Sequence, residues 1–138
     1  MNKKVRNATP IVVDDIHFRS KLEAYTYTKL KEAEISADYE GVSWVLLSEF
    51  QYQGEKIRPI KYTPDFVGIG KDANFVIECK GHQNDAFPLR AKLFKYYLSQ
   101  YSPHVKYYIG KNQKEINQII EQIKSDKDDR TEQINNKE

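Results

Sequence analysis

Disulfide chemistry is the first thing this sequence lacks: it has a single cysteine, Cys79, so neither an intrachain disulfide framework nor a cysteine-rich zinc module can hold it together. An intracellular, reducing setting follows as the expectation. Long apolar runs are missing as well, and nothing approaches the roughly 20 residues of a membrane span. The basic opening, Asn2-Lys3-Lys4, has no apolar segment behind it, so a secretory signal is not expected. Charge of one sign is also lacking. Twenty-two basic residues against 20 acidic ones leave a net charge of +2, which permits a nucleic-acid partner without requiring one. No internal repeat is visible. What remains is 138 residues, enough for one hydrophobic core without disulfides or a structural metal.

Residues 1–15 read as an N-terminal arm, with a short apolar stretch at Ile11-Val12-Val13 and a turn at Asp14-Asp15, where aspartates bond their own backbone. A helix is expected from Ser20 to about Ala33. Leu22, Tyr25, Leu30 and Ala33 make one buried stripe, and Ser20-x-x-Glu23 fits a helix start. From Trp44 the period changes to two. Trp44, Leu46, Phe50 and Tyr52 are expected on one face, with Glu49, Gln51 and Gln53 on the other. A turn at Gly54-Glu55-Lys56 leads into a second strand over Ile57–Ile69. Pro59 and Pro64 cannot donate to a ladder and place that strand at an edge or interrupt it.

After a turn at Gly70-Lys71-Asp72, Asn74–Lys80 reads as a third strand. A second helix opens at Pro88 with Leu89, Leu93, Tyr96 and Tyr97 as its buried stripe. Val105–Ile109 is a fourth strand, and a last helix from Asn112 buries Ile116, Ile119, Ile120 and Ile123. Residues 125–138 are polar and without period, which reads as a disordered tail. The expected architecture is therefore a single α/β domain over residues 16–124, a mixed sheet with helices on its faces.

Chemistry concentrates in two segments, Tyr62-Thr63-Pro64-Asp65-Phe66 and Ile77-Glu78-Cys79-Lys80-Gly81. On a strand, Glu78 and Lys80 project to one side, while Phe75, Ile77 and Cys79 face the other. An acid and a lysine on a half-buried face are costly unless paired or bound to an ion. With the strands paired as a hairpin, Asp65 lies across from Glu78. Two carboxylates suit a hard cation such as Mg²⁺, which activates water and offsets charge in phosphodiester hydrolysis. A neighbouring lysine can orient or deprotonate that water. Glu23, at the edge of the first helix's buried stripe, could supply a third carboxylate. The competing reading makes it a capping-box residue that only bonds backbone.

Pro64-Asp65 followed by Glu78-x-Lys80 resembles the signature of the PD-(D/E)XK nuclease superfamily, whose restriction-endonuclease-like core runs αβββαβ. With Phe18-x-Ser20-x-Leu22-Glu23 upstream, the chain is similar to the phage junction-resolving endonuclease I and to the endonuclease subunit of certain cut-and-paste transposons. Ser20–Ala24 and Lys92–Phe94 are similar to segments of a family of small phage proteins of unassigned function. The resemblance covers roughly Ile16 to Tyr97. It implies metal ligation by Glu23, Asp65, Glu78 and the Cys79 backbone carbonyl, with Lys80 assisting catalysis. It also implies Mg²⁺, with Mn²⁺ able to substitute, and DNA as substrate, cut to leave a 5′-phosphate.

The expected function is thus a magnesium-dependent endonuclease acting on branched DNA, as a Holliday-junction resolvase does, in the cytoplasm of a phage-infected or lysogenic bacterium. Symmetric cutting of a junction needs two sites and hence a homodimer. Two alternatives stand beside it: a DNA-binding module with weakened cleavage, and a nuclease subunit that needs a partner protein. Arg90, Lys92 and Lys95 are candidate phosphate contacts, against an ordinary solvated helix face. His82 is a further candidate at the DNA. The tyrosines, including Tyr107 and Tyr108, could stack on bases but fit core or strand positions better. The Cys79 side chain has the wrong parity for the site and is expected to be buried and unreactive.

Overall fold

The computed structural model describes residues 11–70, 73–81 and 86–136. It begins with a small antiparallel hairpin, β1 (Ile11–Val13) and β2 (Ile16–Phe18). Asp14 and Asp15 turn it with φ of 53° and 64°, a left-handed pair that aspartate tolerates better than most residues. The apolar stretch of the expected arm is therefore paired structure, and residues 1–10 lie outside the described part. Helix α1 (Lys21–Glu32) follows, with Ser20 extended at its N-cap.

The central sheet is mixed. Its order is β10 (Lys106–Gly110), β9 (Phe75–Cys79), β8 (Phe66–Val67), β3 (Asp38–Tyr39). β10 and β9 are parallel, and the other neighbours are antiparallel. Alternation along the strands sorts the core into two layers. Phe66, Phe75 and Ile77 pack with Leu30 of α1 and with Ile116, Ile120 and Ile123 of α3 (Gln113–Asn136). Val67 and Val76 pack on the opposite side with Phe94 and Leu98 of α2 (Phe87–Tyr101). This is the α/β architecture expected from the sequence, a mixed sheet with helices on both faces. No helix among the described residues is long and apolar enough to cross a membrane.

The segment from Trp44 to Tyr62 is one bent hairpin built from β4 (Trp44–Leu47), β5 (Phe50–Tyr52), β6 (Glu55–Ile57) and β7 (Ile60–Tyr62). The expected strand over Ile57–Ile69 is interrupted twice, beside Pro59 and at Thr63-Pro64, neither proline offering an N–H to a ladder. The single face expected for Trp44, Leu46, Phe50 and Tyr52 is also broken. Trp44 and Leu46 still share the face turned to the α2 side of the core. The register shifts between Val45 and Leu47, and the β5 residues beyond the shift are all exposed. Trp44 packs on Phe94, whereas Phe50 and Tyr52 project from the outer ribbon, 43% and 57% exposed.

Two helix expectations change. In α2 the buried residues are Phe87, Ala91, Phe94 and Leu98, while Leu89 and Tyr96 are 58% and 65% exposed. Tyrosines and leucines alone therefore misplace the stripe, because Ala91 and the two phenylalanines set the helix's rotation against the sheet. In α3 the helix continues through Asn136 where a tail without structure was expected from residue 125. Helix-compatible polar residues without proline or glycine continue the ladder. Asp126 accepts from Lys106 and Gln122, and Lys127 donates to the Glu34 carbonyl.

Candidate functional site

Strand β9 sets the frame. Phe75, Ile77 and Cys79 are buried, while Glu78 and Lys80 are half-buried on the other side, the split that period two requires. The Lys80 N–H donates to the Gly110 carbonyl at 2.8 Å. Residue 110 is glycine for space: a Cβ there would stand 2.5 Å from Ile116 Cδ1. Lys80 Nζ lies 4.7 Å from the centre of the Phe87 ring, a cation–π contact at the start of α2.

The β8–β9 register pairs Phe66 with Ile77, and one step further sets Asp65 across from Glu78. Asp65 is buried, and its Oδ2 accepts the Cys79 backbone N–H at 2.7 Å. Its carbonyl accepts the Glu40 N–H at 2.8 Å. Glu40 enters in this way, just past β3, with a φ of 50°. Nothing in the sequence pattern singles it out, since it belongs to no periodic run. Only the pairing of β3 with β8 brings it beside Asp65.

Glu23 comes from the first turn of α1 and is 8% exposed. Ser20 Oγ accepts the Glu23 N–H at 3.1 Å, so the serine caps the helix as expected. The glutamate's own carboxylate accepts from the Arg19 N–H at 3.2 Å and the Tyr39 hydroxyl at 2.5 Å. Glu23 is thus both a partner at the helix start and a member of the acidic group. One carboxylate oxygen from each of Glu23, Glu40 and Asp65 falls within 4.8 Å of the others. Arg19 reaches Glu40 at 3.1 Å from the exposed side.

Burial and mutual repulsion define the electrostatics. Burial first, then the charges of Glu78 and Glu23, push the Asp65 carboxyl up to about 8 against the opposing Cys79 N–H. Glu78 is also raised, mainly by burial, with the Tyr62 hydroxyl and Lys80 acting the other way. The Cys79 thiol is raised by burial and lies 3.3 Å from Thr26 Oγ1, as an inert core residue should.

The sequence reading missed a second support. The Tyr62 hydroxyl donates to Glu78 Oε1 at 2.7 Å and lies 2.8 Å from the Tyr107 hydroxyl. Phe94 packs edge-on against both rings. Burial raises both phenols, so they remain neutral. Tyr62's place three residues before Asp65 was the available signal, but alternation alone does not say that its hydroxyl meets Glu78.

Beside the carboxylates runs a cleft lined by Lys61, Thr63, Glu78, Lys80 and Arg90. Of the three basic α2 candidates, only Arg90 belongs to it. At about 100° per residue, Lys92 lies about 200° and Lys95 about 140° around the helix from Arg90. Both are exposed. The structure therefore does not gather them into one surface. His82 lies outside the described residues.

Residues 3–122 match the family described as "protein of unknown function (DUF1064)". The chain belongs to that family. No curated protein matches the chain, and no solved structure does either. The matched stretch contains Glu23, Glu40, Asp65, Glu78 and Lys80 and ends inside α3.

Proposed function

We propose that this protein is a divalent-metal-dependent DNA endonuclease of the PD-(D/E)XK type. The observation that carries the reading is the convergence of Glu23, Glu40 and Asp65, with oxygens within 4.8 Å, next to Glu78 and Lys80. Carboxylates held this close in a buried position repel one another and lose solvation. A hard cation offsets both costs, and an all-oxygen donor set suits Mg²⁺ or Mn²⁺. Asp65, Glu78, Glu23 and the Cys79 carbonyl are the proposed ligands, with Glu40 added to the set drawn from the sequence. When bound, the cation supplies Lewis acidity and lowers the pKa of water.

The chain's own residues do the rest. Lys80 orients the attacking water and offsets charge developing on the phosphoryl group. Tyr62 holds Glu78 by its hydroxyl, and Cys79's peptide N–H holds Asp65. Water adds to phosphorus as the P–O3′ bond breaks, leaving a 3′-hydroxyl and a 5′-phosphate. An intact acid set with its lysine favours cleavage over a binding-only module. The substrate proposed is branched DNA in phage replication or recombination, cut by a homodimer in the bacterial cytoplasm. The test is cleavage of duplex, flap, fork and four-way junction DNA with Mg²⁺ or Mn²⁺, alongside sedimentation to give the oligomeric state. Junction cutting by a dimer supports the reading. Absence of cutting on all four substrates with either metal would defeat it.

A further inference from the structure

We infer that the cleft between β7, the end of β9 and the start of α2 is a phosphate-binding pocket, formed by Lys61, Lys80 and Arg90 beside the carboxylate centre. Three cations from three separate elements line it, against one carboxylate, Glu78, whose Oε1 is already engaged by Tyr62. None of the three cations forms an ion pair among the described residues. Elsewhere, Arg19, Lys31 and Lys106 each hold an acid. Arg90 adds the more specific sign, since its Nε is buried without a hydrogen-bond partner. A buried guanidinium donor left unmatched is costly, and an anion with several oxygens is its natural complement.

Thr63 lines the same cleft with its hydroxyl 2.5 Å from Ser43 Oγ. This wall is polar and suits a hydrated phosphate better than an apolar ligand. Resting on the endonuclease reading, the pocket takes a backbone phosphate of the bound strand and fixes the register of the strand at the carboxylates. Lys92 and Lys95, on the opposite flank of α2, take no part in it.

Inorganic phosphate is the direct probe, titrated into the full chain and followed by amide NMR. Saturable shifts are expected at Lys61, Thr63, Lys80 and Arg90. Lys61→Ala, an exposed change, should weaken phosphate binding at least fivefold. Arg90→Gln should abolish it, with the remaining amide spectrum kept. In metal-free buffer, the slope of log affinity for duplex DNA against log salt should fall by about 1 in each variant. A wild-type phosphate titration and salt slope in Lys61→Ala would overturn the pocket. Cutting that still depended on Asp65 would then leave the endonuclease reading standing. Phosphate binding lost in the variants, with no cutting by the wild type, keeps the pocket and defeats the nuclease.

Discussion

Replacing Asp65 by Asn should make the metal-free protein more stable at alkaline pH, although it removes a proposed ligand. In the fold, burial and the charges of Glu78 and Glu23 push this carboxyl from 3.8 up to about 8. Between those values the folded protein keeps a proton that the unfolded chain has released. Unfolding then releases a proton, so stability falls as pH rises across this window and levels off above about 8. At about 1.4 kcal/mol per pH unit, ionising Asp65 costs the fold on the order of 5 kcal/mol. Rearrangement of Glu23, Glu40 and Glu78 reduces this, and about 2 to 4 kcal/mol should remain. Asparagine matches the aspartate in shape, carries no charge and can still accept the Cys79 N–H that Oδ2 now takes.

For a chain of this size, 1 kcal/mol shifts Tm by roughly 3 to 5 °C. In EDTA at pH 8.5, Asp65→Asn should therefore melt about 6 to 20 °C above wild type. At a pH near 4 the two should coincide. Adding Mg²⁺ at pH 8.5 should raise the wild-type Tm and leave the variant nearly unmoved. Thermal unfolding by circular dichroism across this pH range, with and without metal, checks all of these outcomes. A variant less stable than wild type at pH 8.5 in EDTA would refute the strained acidic site.

Glu23→Gln should melt no lower than wild type, since one amide oxygen can accept from both Arg19 N–H and Tyr39 and one charge raising Asp65 is removed, yet it should cut DNA at least tenfold more slowly. Partial rescue by raised Mg²⁺ or by Mn²⁺ would accompany it. Ser20→Ala should cost about 1 kcal/mol by urea unfolding and leave the rate per folded molecule unchanged. Lys80→Arg should fail in the cleavage assay, because the wide, permanently charged guanidinium cannot take over a water-orienting amine; near-normal turnover would remove that role. Tyr62→Phe should cost about 1 kcal/mol of stability, slow cutting about tenfold and raise the Mg²⁺ concentration for half-maximal rate, since Glu78 loses the bond that orients it. An unchanged metal requirement would make Tyr62 a packing residue only.

Local rules made much of this legible. Alternation on Asn74–Lys80 put Glu78 and Lys80 on one face, as in β9, and Ser20-x-x-Glu23 marked the start of α1. The isoleucines of α3 fell where the spacing put them. What escaped depends on tertiary register. Glu40 reaches the site only because β3 pairs with β8, and a two-residue strand leaves no period to read. Trp44 and Leu46 keep the face that alternation gives them, but Phe50 and Tyr52 lie on an outer ribbon whose β5 residues are all exposed, and where a hairpin outruns the core cannot be read from its period. In α2, small Ala91 is buried while Tyr96 is exposed, because the space between helix and sheet, and not side-chain size, chooses the stripe. Lys92 and Lys95 look like neighbours of Arg90 in the sequence, and helix geometry separates them.

The measurement that bears most directly on the endonuclease reading is single-turnover cleavage of a labelled four-way junction by wild type, Asp65→Ala and Glu78→Ala, each confirmed folded, in Mg²⁺ and in EDTA. Cutting by wild type in Mg²⁺ alone, leaving 5′-phosphate ends and lost by at least a hundredfold in either variant, is the predicted result. Asp65→Ala cutting at the wild-type rate, or wild-type cutting undiminished in EDTA, would contradict the account.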